Sequence, residues 1–337
     1  MIRPGPKNAI TDVRGILVGQ ARDEALLSGV TVVRPDAAAV AASDCRGGGP
    51  GTRETDALRP ENLVDTVHAV VLSGGSAMGL EAAGGVVECL RREGRGFPVL
   101  GGVVVPVVPA AILFDLGNGG DKGRIREHTY HGLGTAAYRS LGEDVVQGNH
   151  GAGAGARAGA LKGGLGTASL QDDQGFVVGA LAAVNAFGSV LRTGGGRFWA
   201  SDWLRPEDGV RQPDHGGEEG PMPLEFDFES PFRHGANTTI GVVAVNAGLA
   251  RSQALRVAIM AQDGLARAIR PAHTPFDGDT IFVLATGERA LGAMPPVDVA
   301  RLGMMAADCV ARAVMRGVYF ARDAGNLRAY RTAFGLP

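Results

Sequence analysis

Cysteine is scarce in this 337-residue chain, and neither sign of charge is in excess. The three cysteines, Cys45, Cys89 and Cys309, are widely spaced and include no CxxC pair. Such a set makes neither a disulfide framework nor a zinc site, and it predicts reduced thiols in the cytoplasm. Lys plus Arg number 33 against 35 Asp plus Glu. The sequence therefore predicts no nucleic-acid partner and no anionic-membrane partner.

Targeting and membrane-spanning segments are also missing from the sequence pattern. Residues 1–13 lack the apolar core of a signal peptide. The most apolar region, residues 99–116, is interrupted by Pro106 and Pro109. This pattern predicts a pair of buried strands and not a membrane helix.

The known nucleotide, metal and serine-hydrolase motifs are incomplete. In residues 74–79 (GGSAMG), Ser76 replaces the second glycine of GxGxxG and Met78 replaces the last glycine of GxSxG. His128 and His131 share a face of a predicted helix without further ligands. We expect no metal and no cofactor. A nucleotide-binding protein that uses its glycine loops remains an alternative of another class.

Glycine is abundant, with 53 residues in local clusters, which predicts tight turns and close backbone approaches. Strands are predicted where apolar runs occur, and helices where apolar residues recur with helical spacing, with Ser252 capping the third helix. The predicted strands are 14–20, 29–35, 38–44, 68–73, 175–191, 238–246 and 280–285, and the helices are 77–93, 128–141, 252–269 and 296–316. Without a βαβ rhythm, this order predicts α+β layers in a single domain.

Residues 194–236 contain prolines, glycines and acidic residues without a period, which predicts an exposed loop or flexible connector. This segment leads to Asn237-Thr238, at the start of an apolar strand. A cut between these two residues would make Thr238 a new N-terminus, with a nucleophilic hydroxyl and a basic amine in one residue. The same residues also fit a glycosylation triplet or a simple strand entry with Asn in the turn. Composition alone favours the simple strand entry.

A nucleophile of this kind needs oxyanion donors and polar groups around its amine. Asn185, a lone amide in an apolar run, is either an oxyanion donor or a satisfied core amide. Asp277 and Asp279 are two residues apart, so on an extended chain both carboxylates face one side and could reach one amine. A plain loop-to-strand turn is the alternative. Lys162 ends a glycine-dense loop, where surface solvation is the default expectation.

Several ordered segments resemble the self-processing D-aminopeptidase/esterase and β-peptidyl aminopeptidase family, including its nylon-oligomer hydrolase branch. They are residues 10–21 (ITDVRGILVGQA), 46–56 (RGGGPGTRETD), 72–86 (LSGGSAMGLEAAGGV), 105–117 (VPVVPAAILFDLG), 161–169 (LKGGLGTAS), 182–188 (AAVNAFG), 237–247 (NTTIGVVAVNA) and 266–280 (ARAIRPAHTPFDGDT). The resemblance covers nearly the whole chain. It implies an αββα sandwich of the N-terminal-nucleophile hydrolase type and a homo-oligomer, which we expect to be a tetramer.

The resemblance also implies self-cleavage into segments 1–237 and 238–337 of one catalytic domain. Thr238 corresponds to the family nucleophile, which is Ser in the aminopeptidases and Thr in the nylon-oligomer enzymes. Asn185 corresponds to the oxyanion-hole Asn, and Lys162 to a family lysine. The carboxylates Asp277 and Asp279 correspond to the Asp-Gly-Asp of the nylon-oligomer branch.

Phe114 stands where some relatives of this family carry an active-site Tyr. We expect the substrate pocket to be lined by the glycine segment 46–51 together with Gly75, Ser76, Met78 and Phe114. The expected activity is cleavage of amide bonds in short peptides or amino-acid amides and esters, through an acyl-enzyme on Thr238. An endo-acting hydrolase of nylon-type oligoamides is the close alternative, and a homologue that never processes itself is a third.

Overall fold

The computed structural model describes residues 1–192, 194–213 and 237–337. Its strands, in chain order, are Ile2–Arg3 (β1), Ile16–Asp23 (β2), Ser28–Pro35 (β3), Ala39–Cys45 (β4), Thr52–Arg53 (β5), Thr66–Val67 (β6), Val70–Ser73 (β7), Phe97–Pro98 (β8), Val104–Val105 (β9), Ala110–Ile112 (β10), Arg157–Ala158 (β11), Leu161–Lys162 (β12), Gly164–Asp172 (β13), Val177–Asn185 (β14), Thr238–Ala247 (β15) and Thr280–Arg289 (β16). Its α-helices are Ala82–Arg92 (α1), Thr129–Arg139 (α2), Arg251–Ala268 (α3), Pro295–Tyr319 (α4) and Tyr330–Phe334 (α5). A 3-10 helix, Ser76–Glu81, leads into α1.

Two main sheets lie face to face. The larger has the strand order β1-β13-β14-β15-β16-β4-β6, and the smaller has the order β2-β3-β7-β10-β5. Apolar side chains of both sheets share one core, to which Leu181, Ile240, Val242 and Phe282 belong. Helices α3 and α4 cover the outer face of the larger sheet, and α1 and α2 cover that of the smaller. The predicted α+β, four-layer αββα sandwich is confirmed.

Strand β15 lies in the middle of the larger sheet, antiparallel to β14 and parallel to β16. All ten of its residues are buried, because helices cover one face and the smaller sheet covers the other. Asn185 of β14 is paired with Thr238 of β15. Side chains alternate along a strand, and Leu181 and Ile240 face the core between the sheets. Asn185 and Thr238 therefore point to the same side, at one end of that core.

The expectation of a buried strand pair over residues 99–116 is wrong for its first half. Strands β8 and β9 form a small hairpin of their own, and Leu100 at its tip is 98% exposed. Gly101 and Gly102 have φ values of 82° and 75°, which reverse the chain before it reaches the core. In this region β10 is the buried strand, beside β7.

Over its described part, residues 194–213, the predicted connector exposes several residues, but buried side chains anchor it to the core. Phe198 and Ala200 are fully buried in the core under α3 and α4. The Asp208 carboxylate is buried against the Arg312 guanidinium of α4, at 2.8 Å. The buried side chains of Phe198 and Ala200 and the Asp208–Arg312 ion pair thus fix this segment. Such scattered contacts leave no periodic pattern in the sequence. Residues 214–236 of the predicted connector lie outside the described residues.

The N-terminus of α3 also differs from its prediction. The capping position is occupied by Ala250 and not by Ser252. The side chain of Gln253 accepts a hydrogen bond from the Ala250 N–H at 2.8 Å. This contact satisfies one of the backbone donors at the helix start.

Candidate active site

Thr238 is the first residue of β15, and only 3% of it is exposed. Its hydroxyl donates a hydrogen bond to the carbonyl oxygen of Asn237. The same hydroxyl oxygen accepts a hydrogen bond from the Gly278 N–H at 2.9 Å. The candidate nucleophile is thus held against the peptide unit that it would attack, with a donor that stabilises negative charge on its oxygen.

The glycine loop, residues 46–51, packs against the segment that carries Gly278. The Gly49 N–H donates to the Asp277 carbonyl oxygen at 2.7 Å, and the Arg46 N–H donates to that of Asp279 at 2.9 Å. A Cβ on Gly47 would lie 2.2 Å from the Asp277 carbonyl oxygen, which no side chain tolerates. This loop makes the close backbone approach that the sequence predicts.

The amide of Asn185 is completely buried and has partners at both of its ends. Its Nδ2 donates to the Phe114 carbonyl oxygen at 3.0 Å. Its Oδ1 accepts hydrogen bonds from Asn118 Nδ2 at 3.0 Å and from the Arg157 N–H at 2.9 Å. These contacts fix the orientation of the amide, and Nδ2 carries a second hydrogen for another acceptor. Asn118 is a site residue that the sequence does not single out.

Two backbone N–H groups and the ring of His273 hold Asp279 in place. Its Oδ1 accepts from the Thr239 N–H at 2.8 Å. Its Oδ2 accepts from the His273 N–H at 3.0 Å and lies 2.9 Å from His273 Nδ1. The Asp279 carboxylate is therefore hydrogen-bonded to the backbone of Thr239, the residue that follows the candidate nucleophile. His273 is another site residue that the sequence does not single out.

Asp277 accepts hydrogen bonds from Thr274, at 3.0 Å from N and 2.6 Å from Oγ1, and from the Phe187 N–H at 3.3 Å. Burial, together with the negative charge of Asp279, raises the pKa of Asp277 to about 6. The hydrogen bonds from Thr274 and Phe187 act in the opposite direction and only partly offset this rise. Two carboxylates that share one buried site repel each other, so one of them holds its proton more tightly.

Lys162 is fully buried, so the expectation of a solvated lysine is wrong. Its Nζ donates to the carbonyl oxygens of Gly153 and Gly163, at 3.0 and 2.9 Å. Burial lowers the pKa of Lys162 to about 7, although the charge of Asp115 opposes this. The glycine-dense chain folds over the lysine because it has no side chains to keep it apart.

Two of the other predicted pocket residues, Gly75 and Phe114, lie beside Asp115, a fully buried carboxylate that the sequence analysis misses. Asp115 accepts from the Gly75 N–H at 2.9 Å and follows Phe114, whose carbonyl oxygen binds Asn185. Gly75 has a φ of 86°, and a Cβ there would lie 2.0 Å from Tyr130 Cζ. The N–H of Ser76 donates a hydrogen bond to the carbonyl oxygen of Leu113 at 3.0 Å. Met78, also predicted to line the pocket, is 44% exposed. An acid inside an apolar run, as in ILFDL, is the signal that would have identified Asp115.

Within residues 1–192, 194–213 and 237–337, no group of three or more His, Cys, Asp and Glu side chains has an arrangement for a metal ion. The rings of His128 and His131 are 5.9 Å apart, and His128 lies near the carboxylates of Glu81 and Glu127. No helix in these ranges is long and apolar enough to cross a bilayer.

Comparison with known proteins places this geometry in a family. The model of peptidase family S58 matches residues 8–330. An uncharacterized aminopeptidase of Mycobacterium tuberculosis is 46% identical, over 97% of this chain and 98% of its own. A 6-aminohexanoate-oligomer endohydrolase of Kocuria sp. is 28% identical, over 88% of this chain and 79% of its own.

Solved structures show the same fold. The L-aminopeptidase D-Ala-esterase/amidase of Ochrobactrum anthropi, described as a variant of the Ntn hydrolase fold, superposes with a TM-score of 0.73 at 21% identity, covering 99% of this chain and 96% of that one. A β-aminopeptidase of Burkholderia sp. gives a TM-score of 0.72 at 22% identity, covering 99% and 94%. With a family model that spans nearly the whole sequence, the chain belongs to peptidase family S58, whose members are hydrolases of peptide and amide bonds.

Proposed function

We propose that this chain cuts itself between Asn237 and Thr238 and then uses Thr238 as an N-terminal nucleophile against amide bonds. One observation carries the proposal. The Thr238 hydroxyl contacts the carbonyl oxygen of the peptide unit before it, while the Gly278 N–H donates to the hydroxyl oxygen. The domain then consists of segments 1–237 and 238–337, which stay together because β15 lies inside the larger sheet.

In the self-cleavage step, the Thr238 hydroxyl oxygen bonds to the carbonyl carbon of Asn237. The peptide C–N bond breaks, and the departing nitrogen takes up the hydroxyl proton as the new α-amine. Water then hydrolyses the resulting ester, which leaves a carboxylate on Asn237 and restores the hydroxyl of Thr238. The buried position of Thr238 favours this step, because electrostatic stabilisation is stronger where water is excluded.

In the mature enzyme, the α-amine of Thr238 is the general base. An α-amine has a reference pKa of roughly 7.7–8.0, so part of it is neutral at pH 7 and accepts the hydroxyl proton. Asp279, hydrogen-bonded to the neighbouring Thr239 N–H, and Asp277 orient this amine and tune its basicity. The second N–H of Asn185 stabilises the oxyanion, a contribution of roughly 2.7–4 kcal/mol for one such donor elsewhere.

Lys162 and the pocket residues have supporting roles. Lys162 holds the carbonyl groups of Gly153 and Gly163 and thereby keeps the glycine loop beside Asn185. Phe114 positions Asn185 through its backbone carbonyl, and its ring has no hydroxyl for the role that Tyr has in some relatives of the family. Gly75, Ser76 and Met78 form a wall of the substrate pocket. The mechanism needs no cofactor.

The substrates we propose are short peptides and amino-acid amides or esters with a free amine. The aminopeptidase relatives at 46% identity support this substrate class. An endohydrolase of linear oligoamides is the second candidate, favoured by the Thr nucleophile, by Asp277 and Asp279, and by the relative that acts on 6-aminohexanoate oligomers. We further propose a cytoplasmic homo-oligomer, a tetramer by resemblance to the family, without a nucleic-acid or membrane partner.

Hydrolysis rates of two substrates test this function and separate the two candidates. One is an aminoacyl p-nitroanilide with a free amine, and the other is an N-acetylated 6-aminohexanoate oligomer. We expect the first to be hydrolysed at least tenfold faster, and the reverse order would identify the oligoamide hydrolase. Thr238→Ser retains a hydroxyl and should keep activity, whereas Thr238→Ala should lose it. Equal activity of the wild type and Thr238→Ala would refute the nucleophile.

A further inference from the structure

Residues 113–118 (LFDLGN), which follow strand β10, contact two separate parts of the proposed site. We call them the bridging segment. On one side, the segment binds the amide of Asn185, the proposed oxyanion donor. On the other side, it binds the turn at Gly75 and Ser76, a wall of the proposed substrate pocket. The roles proposed above use neither Asp115 nor Asn118 of this segment.

Asn118 holds the amide of Asn185 in one orientation. Only 3% of Asn118 is exposed, and its Nδ2 donates to Asn185 Oδ1 and to the Gly155 carbonyl oxygen, both at 3.0 Å. Both hydrogens of this Nδ2 are therefore in use. Because Asn118 binds Oδ1 of Asn185, the Nδ2 end of that amide keeps its second hydrogen for an oxyanion. In the inverted orientation, Oδ1 would take the place of Nδ2 and would repel an oxyanion.

Asp115 attaches the bridging segment to the turn. Its Oδ1 accepts a hydrogen bond from the Gly75 N–H at 2.9 Å, and its Oδ2 accepts one from the Ser28 hydroxyl at 2.7 Å. Lys122 Nζ lies 3.9 Å from Oδ1. Burial raises the pKa of Asp115, and the charge of Lys122 and the two hydrogen bonds oppose this rise. The position of the turn therefore depends on this buried carboxylate.

The turn has a backbone shape that needs such support. Gly75 and Ser76 have φ values of 86° and 53°. A positive φ is uncommon for serine, and it persists where the surrounding contacts determine it. The Ser76 N–H donates to the carbonyl oxygen of Leu113 in the bridging segment at 3.0 Å. A Cβ on Gly74 would lie 2.2 Å from Asp115 Oδ2, so the turn packs directly on the carboxylate.

We propose that Asn118 and Asp115 are positioning residues, which hold the oxyanion donor and the substrate wall in a fixed relation through the bridging segment. Asn118 acts through Asn185, so it affects the transition state. Asp115 acts through the turn at Gly75 and Ser76, so it affects substrate binding. This inference rests on the proposed function, because both effects are measured on hydrolysis of the aminoacyl p-nitroanilide.

An alanine variant tests the first effect. Asn118→Ala frees the Asn185 amide, and it should lower kcat at least tenfold with less than about a twofold change in KM. Rates are taken per processed chain, with the processed fraction read from the intact mass. Asn246→Ala is the matched control, because this buried amide also makes two hydrogen bonds to backbone groups, at the other end of β15 from Thr238. Equal losses of kcat in both variants, or full kcat in Asn118→Ala, would overturn the role of Asn118.

A double-mutant cycle distinguishes positioning from a general structural role. Because Asn118 acts through Asn185, adding Asn118→Ala to Asn185→Ala should lower kcat by less than about twofold. An undiminished loss in that background would overturn the proposal. Full kcat in Asn185→Ala would refute the proposed oxyanion donor and its positioning residue together, whereas a loss in Asn185→Ala alone would overturn only the role of Asn118. If Asn118→Ala fails to fold, Asn118→Ser, which keeps a hydroxyl donor, takes its place.

A carboxamide variant tests the second effect. Asp115→Asn keeps the size of the side chain but weakens the charge-assisted hydrogen bond to Gly75, so it should raise KM at least threefold with a smaller change in kcat. Asp298→Asn is the matched control, another buried acid, which accepts the Gly292 N–H at 2.7 Å at the start of α4. It should change neither constant. An unchanged KM in Asp115→Asn, or an equal change in both variants, would overturn the role of Asp115.

Discussion

Asp208 and Asp277 are equally buried, with 1% of each residue exposed, but their neighbours carry opposite charges. Asp208 forms two hydrogen bonds with Arg312, at 2.8 and 2.9 Å, and lies 3.9 Å from Arg316. Burial alone would raise the pKa of Asp208, but the hydrogen bonds and charge of Arg312 lower it below its ordinary value. Asp277 faces another carboxylate, and its pKa rises to about 6.

The comparison shows that burial alone does not say what a carboxylate does. A buried acid with matched cations is neutralised locally and holds elements together. Here Asp208 ties residues 206–208 to α4 and to Asn8. A buried acid beside a second acid is poised to exchange protons or to hold a cation, which is typical of functional sites. We therefore propose that Asp208 serves stability and that the Asp277–Asp279 pair serves the chemistry.

The largest expected effect of a substitution tests the structural side of this comparison. Asp208→Ala leaves the Arg312 guanidinium buried without its counter-charge, and we expect a loss of about 3–5 kcal/mol in the free energy of unfolding. Urea denaturation in the Thr238→Ala background measures it. Asp202→Ala is the control, because 70% of that side chain is exposed, and it should change stability by less than about 0.5 kcal/mol. A similarly small effect of Asp208→Ala would refute its structural role.

The second-largest expected effect is a loss of activity, and it tests the chemical role of Asp279. Asp279→Asn removes a charge but keeps the shape of the side chain, so we expect about a 100-fold loss in kcat for the aminoacyl anilide, with a small change in melting temperature. This loss corresponds to about 2.7 kcal/mol in the activation free energy. The matched control, Glu288→Gln, changes an acid at the far end of β16 and should retain full activity. Full activity in Asp279→Asn would contradict the assignment.

The smallest effect concerns pH. The pKa of Asp277 is raised in the fold, to about 6, so the folded chain binds more protons than the unfolded chain between about pH 4 and 6. The contribution of Asp277 to stability is therefore present at low pH and is lost as the pH rises through this window. Asp277→Asn does not titrate. Relative to its parent, it should become more stable by on the order of 1–2 kcal/mol between pH 4 and pH 7.

Urea denaturation of both proteins at several pH values, in the Thr238→Ala background, measures this difference. Asp208→Asn provides the contrast, because the folded-state pKa of Asp208 is lowered and not raised. Its difference from the parent should change with pH in the opposite direction. Parallel curves for Asp277→Asn and its parent would mean that Asp277 and Asp279 do not repel each other.

Much of the fold is predictable from the sequence because its central strands are long apolar runs. Strand β15 and helix α4 lie close to their predicted ranges, and the grouping of strands and helices indicates the layers. The hairpin at residues 97–105 is not predictable in this way. Apolar residues there are exposed, and hydrophobicity alone does not say which surface covers a segment.

The candidate site is predictable where it depends on position along one strand, and less so where it depends on contacts between strands. The pairing of Asn185 with Thr238 follows once β14 and β15 are adjacent. The burial of Lys162 and the contacts of Asn118 and His273 do not follow from spacing, because they arise where distant glycine loops and strand ends meet. The structural role of Asp208 is unpredictable for the same reason, since its partner Arg312 lies 104 residues away in the sequence.

The central claim is that Thr238 cuts the peptide bond before it. Its most direct test is the intact mass of purified protein followed over days, for the wild type and for Thr238→Ala and Thr238→Ser. We predict that the wild type yields two fragments that correspond to residues 1–237 and 238–337, that Thr238→Ser yields the same pair, and that Thr238→Ala stays one chain. A wild-type chain that remains whole, or a Thr238→Ala chain that breaks at the same bond, would contradict the account.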